Sequence, residues 1–274
     1  HVIFGKTVPD VSLNAVANLG YAEGRWRAQV YAGDTLRSSS EVIGLKENSS
    51  RTSGVVYVRT RGTNQRGEIV MDYVRWVMVR KRDAEAAAPE TVVPELKRAL
   101  TVADLAIPAG LTFAKYDFAQ AGEPHRLGDY AVGEVIDHVD GVTIEEAEHM
   151  MATRLWQNTA KVHFDATFRE DGRRLIYGGH VISMARALSF NGLANAQMIV
   201  GLNGGAHANP CFSGDTVRAW SEVLDTAETS APNVGAIRLR LVATKGAAGA
   251  LKNAEGKYLP EVLLDLDYWA LMPI

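Results

Sequence analysis

Apolar and polar residues along this chain alternate in long runs, then change period, and then alternate again. Runs rich in Val, Ile, Tyr and Trp, broken by Gly, Asn and Asp, predict strands over roughly 20–31, 35–46, 53–63 and 67–80, preceded by a short apolar helix. Long neighbouring strands after a helix predict an antiparallel sheet wrapped around it, an α+β unit. Asp83-Ala84-Glu85-Ala86-Ala87-Ala88-Pro89-Glu90 breaks the pattern, and Pro89 and Pro94 give it the composition of an exposed connection. The expected organisation is therefore one unit over 1–82, a linker over 83–118 and a second unit over 119–274. That second unit begins its regular structure with a strand through Glu134-Val135-Ile136. Thr143 with Glu146 three residues on reads as a capping box opening a helix.

The two units read as copies of each other. His1-Val2-Ile3 returns as His180-Val181-Ile182, and Ser12-Leu13-Asn14-Ala15-Val16-Ala17-Asn18 as Ser189-Phe190-Asn191-Gly192-Leu193-Ala194-Asn195. Gly33-Asp34-Thr35-Leu36 matches Gly214-Asp215-Thr216-Val217, Ser40-Glu41-Val42 matches Ser221-Glu222-Val223, and Tyr73-Val74-Arg75-Trp76-Val77-Met78 resembles Leu266-Asp267-Tyr268-Trp269-Ala270-Leu271. Five blocks in one order predict a duplicated architecture. The second copy carries a strand, a helix and a polar segment ahead of its His180 block, whereas the first starts abruptly at His1 without an initiator Met. The front of the first unit is expected to lie ahead of this sequence.

Composition narrows the function classes. The 274 residues are 47% hydrophobic and 22% charged, with a net charge of -3, so neither a nucleic-acid groove nor a polybasic membrane surface is expected. The single cysteine, Cys211, cannot form an internal disulfide, and no apolar run reaches the roughly 18 residues that span a bilayer. A cytoplasmic protein is the expectation. The remaining histidines, His125, His138, His149 and His207, show no metal-ligand spacing, so no metal is expected.

The chemistry concentrates between Leu155 and Ser183. Asn158, His163 and Asp165 follow the second unit's first helix, and Gly178 and Gly179 stand where another helix begins. An imidazole titrates near neutral pH and suits acid/base work; free amides at a glycine helix start suit a developing oxyanion. Gly179 or His180 is assigned the oxyanion role through its backbone. Arg154, Lys161, Arg173, Arg174 and Arg186 are candidates for substrate anions. Asp165 reads equally as a turn residue, and the match of His180 to His1 favours a structural side chain. The Gly-Asp-Thr pairs read as strand-connecting turns.

On these residues the chain resembles the MaoC-like double hot-dog hydratases and dehydratases. That family's signature is an Asp, then Asn-Pro, a His five residues after the Asp and another Asp two after the His; here Asn158, His163 and Asp165 hold the matching positions, with Asn in place of the leading Asp. Gln157-Asn158-Thr159-Ala160-Lys161-Val162-His163-Phe164, Gly178-Gly179-His180-Val181-Ile182-Ser183 and Leu264-Asp265-Leu266-Asp267-Tyr268-Trp269 are similar to the branch that acts on mesaconyl-CoA. The resemblance implies a lyase that reversibly hydrates mesaconyl-C1-CoA without a cofactor, CoA being part of the substrate, in a homodimeric cytoplasmic enzyme of acetyl-CoA assimilation. Together with the residue chemistry above, it leads to the expectation of catalysis by His163, Asn158, Asp165 and Gly179, with Gly178, His180, Arg154, Lys161 and Arg186 binding substrate. Two other classes stay open: an acyl-CoA thioesterase and a non-catalytic acyl-CoA binder. The helix after Gly179 offers Ser183, Arg186 and Ser189 but no carboxylate, which counts against the thioesterase.

Overall fold

The computed structural model describes residues 1–246 and 249–274. Its elements are α1 (Val2–Lys6), β1 (Ala15–Trp26), β2 (Arg37–Glu47), β3 (Ser53–Thr63), β4 (Ile69–Arg80), α2 (Phe118–Ala121), β5 (Val135–Thr143), α3 (Glu146–Leu155), α4 (Lys161–Phe164), α5 (Gly178–Leu188), α6 (Phe190–Leu193), β6 (Met198–His207), β7 (Thr216–Glu228), β8 (Val234–Thr244) and β9 (Val262–Pro273). All nine strands form one antiparallel sheet in the order β2-β3-β4-β1-β6-β9-β8-β7-β5. Outward from the β1–β6 seam, β4, β3 and β2 mirror β9, β8 and β7. This is the duplicated architecture that the repeat predicts, and the double hot-dog that the resemblance implies. Among the described residues no helix is long and apolar enough to cross a membrane.

The main core lies where the second half of the sheet curves around α5. Val181 and Ala185, one helical turn apart, are buried against Leu239, Leu241 and Leu264 from the sheet. In the first half the concave face holds α1, whose Ile3 packs with Val70 and Tyr73, and the π-helical turn Val8–Ser12 that follows it.

The two copies share one packing device. Gly20 of β1 pairs with Trp76 of β4, and Gly201 of β6 pairs with Trp269 of β9. A Cβ on Gly20 would sit 2.3 Å from the Trp76 ring, so the indole demands the glycine. Only the second copy covers its indole. Leu100 and Leu105, from the segment expected to be an exposed connection, pack on Trp269, whose Nε1–H donates to the Leu100 carbonyl at 3.0 Å.

Three local expectations shift. The first strand runs from Ala15 rather than residue 20, because Ala15 and Ala17 pair with Val79 and Met78. The block Ser12–Asn18 is extended from Ala15 on, while its sequence match Ser189–Asn195 is helical or turned. Asn195 there is held by accepting from Tyr116 and donating to the Glu123 and His125 carbonyls, partners that Asn18 lacks. The capping box does not form: Thr143 ends β5 with its hydroxyl on Thr216, and α3 starts beyond Glu145 without a side-chain cap.

The buried indole predicts an asymmetric mutational response. Trp269→Ala is expected to cost about 3–5 kcal/mol in a denaturant titration, and Trp76→Ala, half-buried, distinctly less. Equal costs would contradict the covering role of the Leu100–Leu105 segment.

Candidate active site

The polar segment is shaped by how α3 ends. Gln157 adopts a left-handed conformation (φ 56°), which turns the chain sharply after Trp156 and delivers Asn158 inward. Asn158 is buried, and its Oδ1 accepts from the Ala160 N–H at 3.0 Å, leaving Nδ2 without a partner among the described residues. The turn leads into α4, which carries His163. The tight α1 of the first unit supports this loop: a Cβ on Gly5 would lie 1.9 Å from the Trp156 carbonyl oxygen.

His163 and Asn158 line a cavity of about 400 Å³ with Gly178 and Tyr177 on one side and Phe4, Tyr21 and Arg75 of the first unit on the other. The His163 Nδ1 lies 2.8 Å from the Leu175 carbonyl. A carbonyl only accepts, so Nδ1 carries the proton and Nε2 presents a lone pair. Burial pushes the His163 pKa down, so this imidazole is neutral at pH 7.

The start of α5 forms a second wall. The Tyr177 N–H donates to His149 Nε2 at 2.9 Å, and the His180 N–H donates to the Tyr177 carbonyl at 2.8 Å. The amides of Gly178 and Gly179 between them find no acceptor among the described residues, and Gly178 borders the cavity. Two free N–H groups at the positive end of an eleven-residue helix form a ready oxyanion site. Glycine is required at both places: a Cβ would approach the His207 ring to 2.5 Å at Gly178 and the Tyr177 ring to 2.6 Å at Gly179. His207 in turn shares a 3.0 Å hydrogen bond with Tyr21 across the seam.

A neutral base and the unspent amide of Gly178, lining one cavity in a double hot-dog fold, can be compared with known proteins. The family model described as mesaconyl-CoA hydratase matches residues 1–249. This chain belongs to the mesaconyl-CoA hydratase family. It is 74% identical over 275 residues to mesaconyl-CoA hydratase of Cereibacter sphaeroides, covering 100% of this chain and 80% of that protein. To β-methylmalyl-CoA dehydratase of Chloroflexus aurantiacus it is 57% identical over 282 residues, with the same coverage. The crystal structure of a MaoC-domain dehydratase from Chloroflexus aurantiacus superposes with a TM-score of 0.96 at 56% identity, over 100% of this chain and 80% of that one. A double-hotdog protein of Mycobacterium tuberculosis gives a TM-score of 0.69 at 25% identity, over 98% and 79%.

Within this family member the other expected residues sit elsewhere. Asp165 caps the turn Ala166–Phe168, accepting from the Thr167 N–H at 3.0 Å and its hydroxyl at 2.6 Å, and it does not line the cavity. Those two bonds hold its carboxyl below the usual range, as a turn residue and not as an acid. The His180 amide is spent on Tyr177, which leaves the free amides at Gly178 and Gly179, while its side chain is buried with Nε2 3.1 Å from Glu148. Arg154 and Lys161 are exposed outside the cavity. Arg186 is consumed at the end of α5, donating to Ser189 Oγ at 2.8 Å and to the Ala196 carbonyl. Arg173 lies over the Phe212 ring and Arg174 pairs with Glu146. Arg75, Tyr21 and His207 went unselected, although an arginine amid the apolar alternation of Tyr73-Val74-Arg75-Trp76-Val77 was a visible signal.

Burial lowers both His149 and His207 to about 4. Each takes up its proton near 6.5 once unfolded, so between those values the unfolded chain binds more protons and stability falls with falling pH. Denaturant midpoints measured across this range are expected to fall from pH 6.5 towards 4. A midpoint that is flat over the range would contradict the neutral buried state of both rings.

Proposed function

We propose that this protein is a hydro-lyase that reversibly hydrates mesaconyl-C1-CoA to β-methylmalyl-CoA, with no cofactor beyond the CoA of its substrate. The observation that carries the reading is the free Nε2 of a neutral His163 lining the same cavity as the unspent amide of Gly178. Placed against the Gly178 and Gly179 amides, the thioester oxygen receives the charge that develops as water adds. Asn158 Nδ2 holds the water oxygen but cannot take a proton, so His163 does both transfers. His163 Nε2 removes one water proton as the oxygen bonds the β-carbon and the alkene pair moves onto the thioester. The imidazolium then returns that proton to the α-carbon, so H and OH are added with no electrons gained or lost.

A thioesterase is not favoured, because α5 carries no carboxylate to activate water at the thioester carbon. A homodimer fits the two open sheet edges, β2 and β5, and the exposed Leu13 and Val16. The cytoplasm remains the proposed compartment, in keeping with the one buried, unpaired thiol of Cys211.

Mixed with mesaconyl-C1-CoA, the protein is expected to remove the conjugated thioester absorbance without releasing free thiol. His163→Ala should lower kcat by about 10²–10⁴-fold, and Asn158→Asp should leave activity intact or modestly altered. Because burial lowers the His163 pKa, the acid limb of kcat/KM should lie below the ordinary imidazole value of about 6.5. Thiol release, or near-normal turnover by His163→Ala, would contradict the assignment.

A further inference from the structure

Arg75 sits in the middle of β4 on the concave face and is 1% exposed. Its guanidinium donates to Thr7 Oγ1 at 2.9 Å and Ser12 Oγ at 2.9 Å and lies 4.5 Å over the Phe4 ring. These partners are neutral, and Nε makes no hydrogen bond. Four other arginines of the sheet that lie partly buried are matched by carboxylates: Arg25 by Asp72, Arg59 by Glu23, Arg238 by Asp267 and Arg240 by Asp265. Among the described residues no carboxylate pairs with Arg75. The acidic groups nearest its charge are the phenols of Tyr73, Tyr21 and Tyr177, all pushed by burial towards staying protonated.

A buried cation without an anion is costly, and the fold does not demand this one. Since Trp76 matches Trp269 in the repeat, the equivalent of Arg75 in the second copy is the neutral Tyr268. Arg75 also lines the cavity that holds His163, and so does Asn18, whose buried side-chain oxygen and nitrogen both lack partners among the described residues. In register, Asn18 faces Val77 and Tyr21 faces Arg75, which puts Asn18, Tyr21 and Arg75 on one face of the β1–β4 pair.

Resting on the hydration reading above, we propose that Arg75 and Asn18 form the subsite for the substrate's free carboxylate. The first unit is then the half of the site that selects dicarboxylic acyl chains. In mesaconyl-C1-CoA that carboxylate is bonded to the β-carbon, the atom that receives the hydroxyl. Anchoring it to the guanidinium and the Asn18 amide therefore presents the correct alkene carbon to the water held by Asn158.

The test compares two substrates, mesaconyl-C1-CoA and 2-methylcrotonyl-CoA, which replaces the carboxylate by a methyl group. Wild-type protein is expected to prefer the first by about 100-fold or more in kcat/KM, and Arg75→Gln to abolish most of that preference by losing turnover of the first substrate alone. Binding to the wild type supplies a readout that no variant's misfolding can obscure: a saturated four-carbon acyl-CoA ending in a carboxylate should bind at least about tenfold tighter than one ending in a methyl group. Equal binding of that pair, or a folded Arg75→Gln protein that keeps its preference or loses both substrates in proportion, would overturn the subsite. If the wild type hydrated neither substrate, the hydratase reading itself would fail, while the binding comparison would still judge Arg75.

Discussion

Everything in this molecule depends on the backbone hydrogen bonds that join β1 to β6. Tyr21, Ala22, Gly24 and Arg25 pair with Gly205, Gly204, Leu202 and Gly201, fusing two half-sheets into one and leaving no unpaired edge between them. The glycines are there because the seam is crowded. A Cβ on Gly24 would stand 2.8 Å from Leu202, and one on Gly205 would stand 2.8 Å from Leu266. The cavity opens at this seam, so its walls come from different copies: Tyr21 and Arg75 from one, His163, Gly178 and His207 from the other.

The two copies have been given different work by small differences laid on one frame. The second holds the long helix whose first amides are left free, and its outer indole is sealed by Leu100 and Leu105. The first copy instead holds the five-residue α1 followed after Thr7 by the π-helical turn Val8–Ser12, and Phe4, Val8 and Ser12 of this stretch line the cavity. The same strand position that is Tyr268 in one copy is Arg75 in the other. Repetition supplies the sheet, and the departures from repetition supply the chemistry.

Much of this was legible in the chain, because alternation and block repetition are local signals that survive without coordinates. His163, Asn158 and the Gly178-Gly179 pair could be picked out since they lie on a loop and a helix start, where polar groups are not needed for packing. Arg75, Tyr21 and His207 were harder. They sit inside strands, where an inward polar residue looks like noise in an apolar pattern, and they meet the loop residues only through the seam. Asp165 and Arg186 misled for the opposite reason: carboxylates that cap turns and guanidiniums that close helix ends look the same in sequence as those that touch a substrate. His180 misled because its amide is consumed one position past the free pair.

The most direct measurement of the central claim is a crystal structure of the protein with β-methylmalyl-CoA bound. The acyl group is expected in the seam cavity, with its new hydroxyl within about 3.2 Å of His163 Nε2 and its thioester oxygen accepting from the Gly178 or Gly179 amide. An acyl group bound outside that cavity, or one whose hydroxyl points away from His163, would contradict the account.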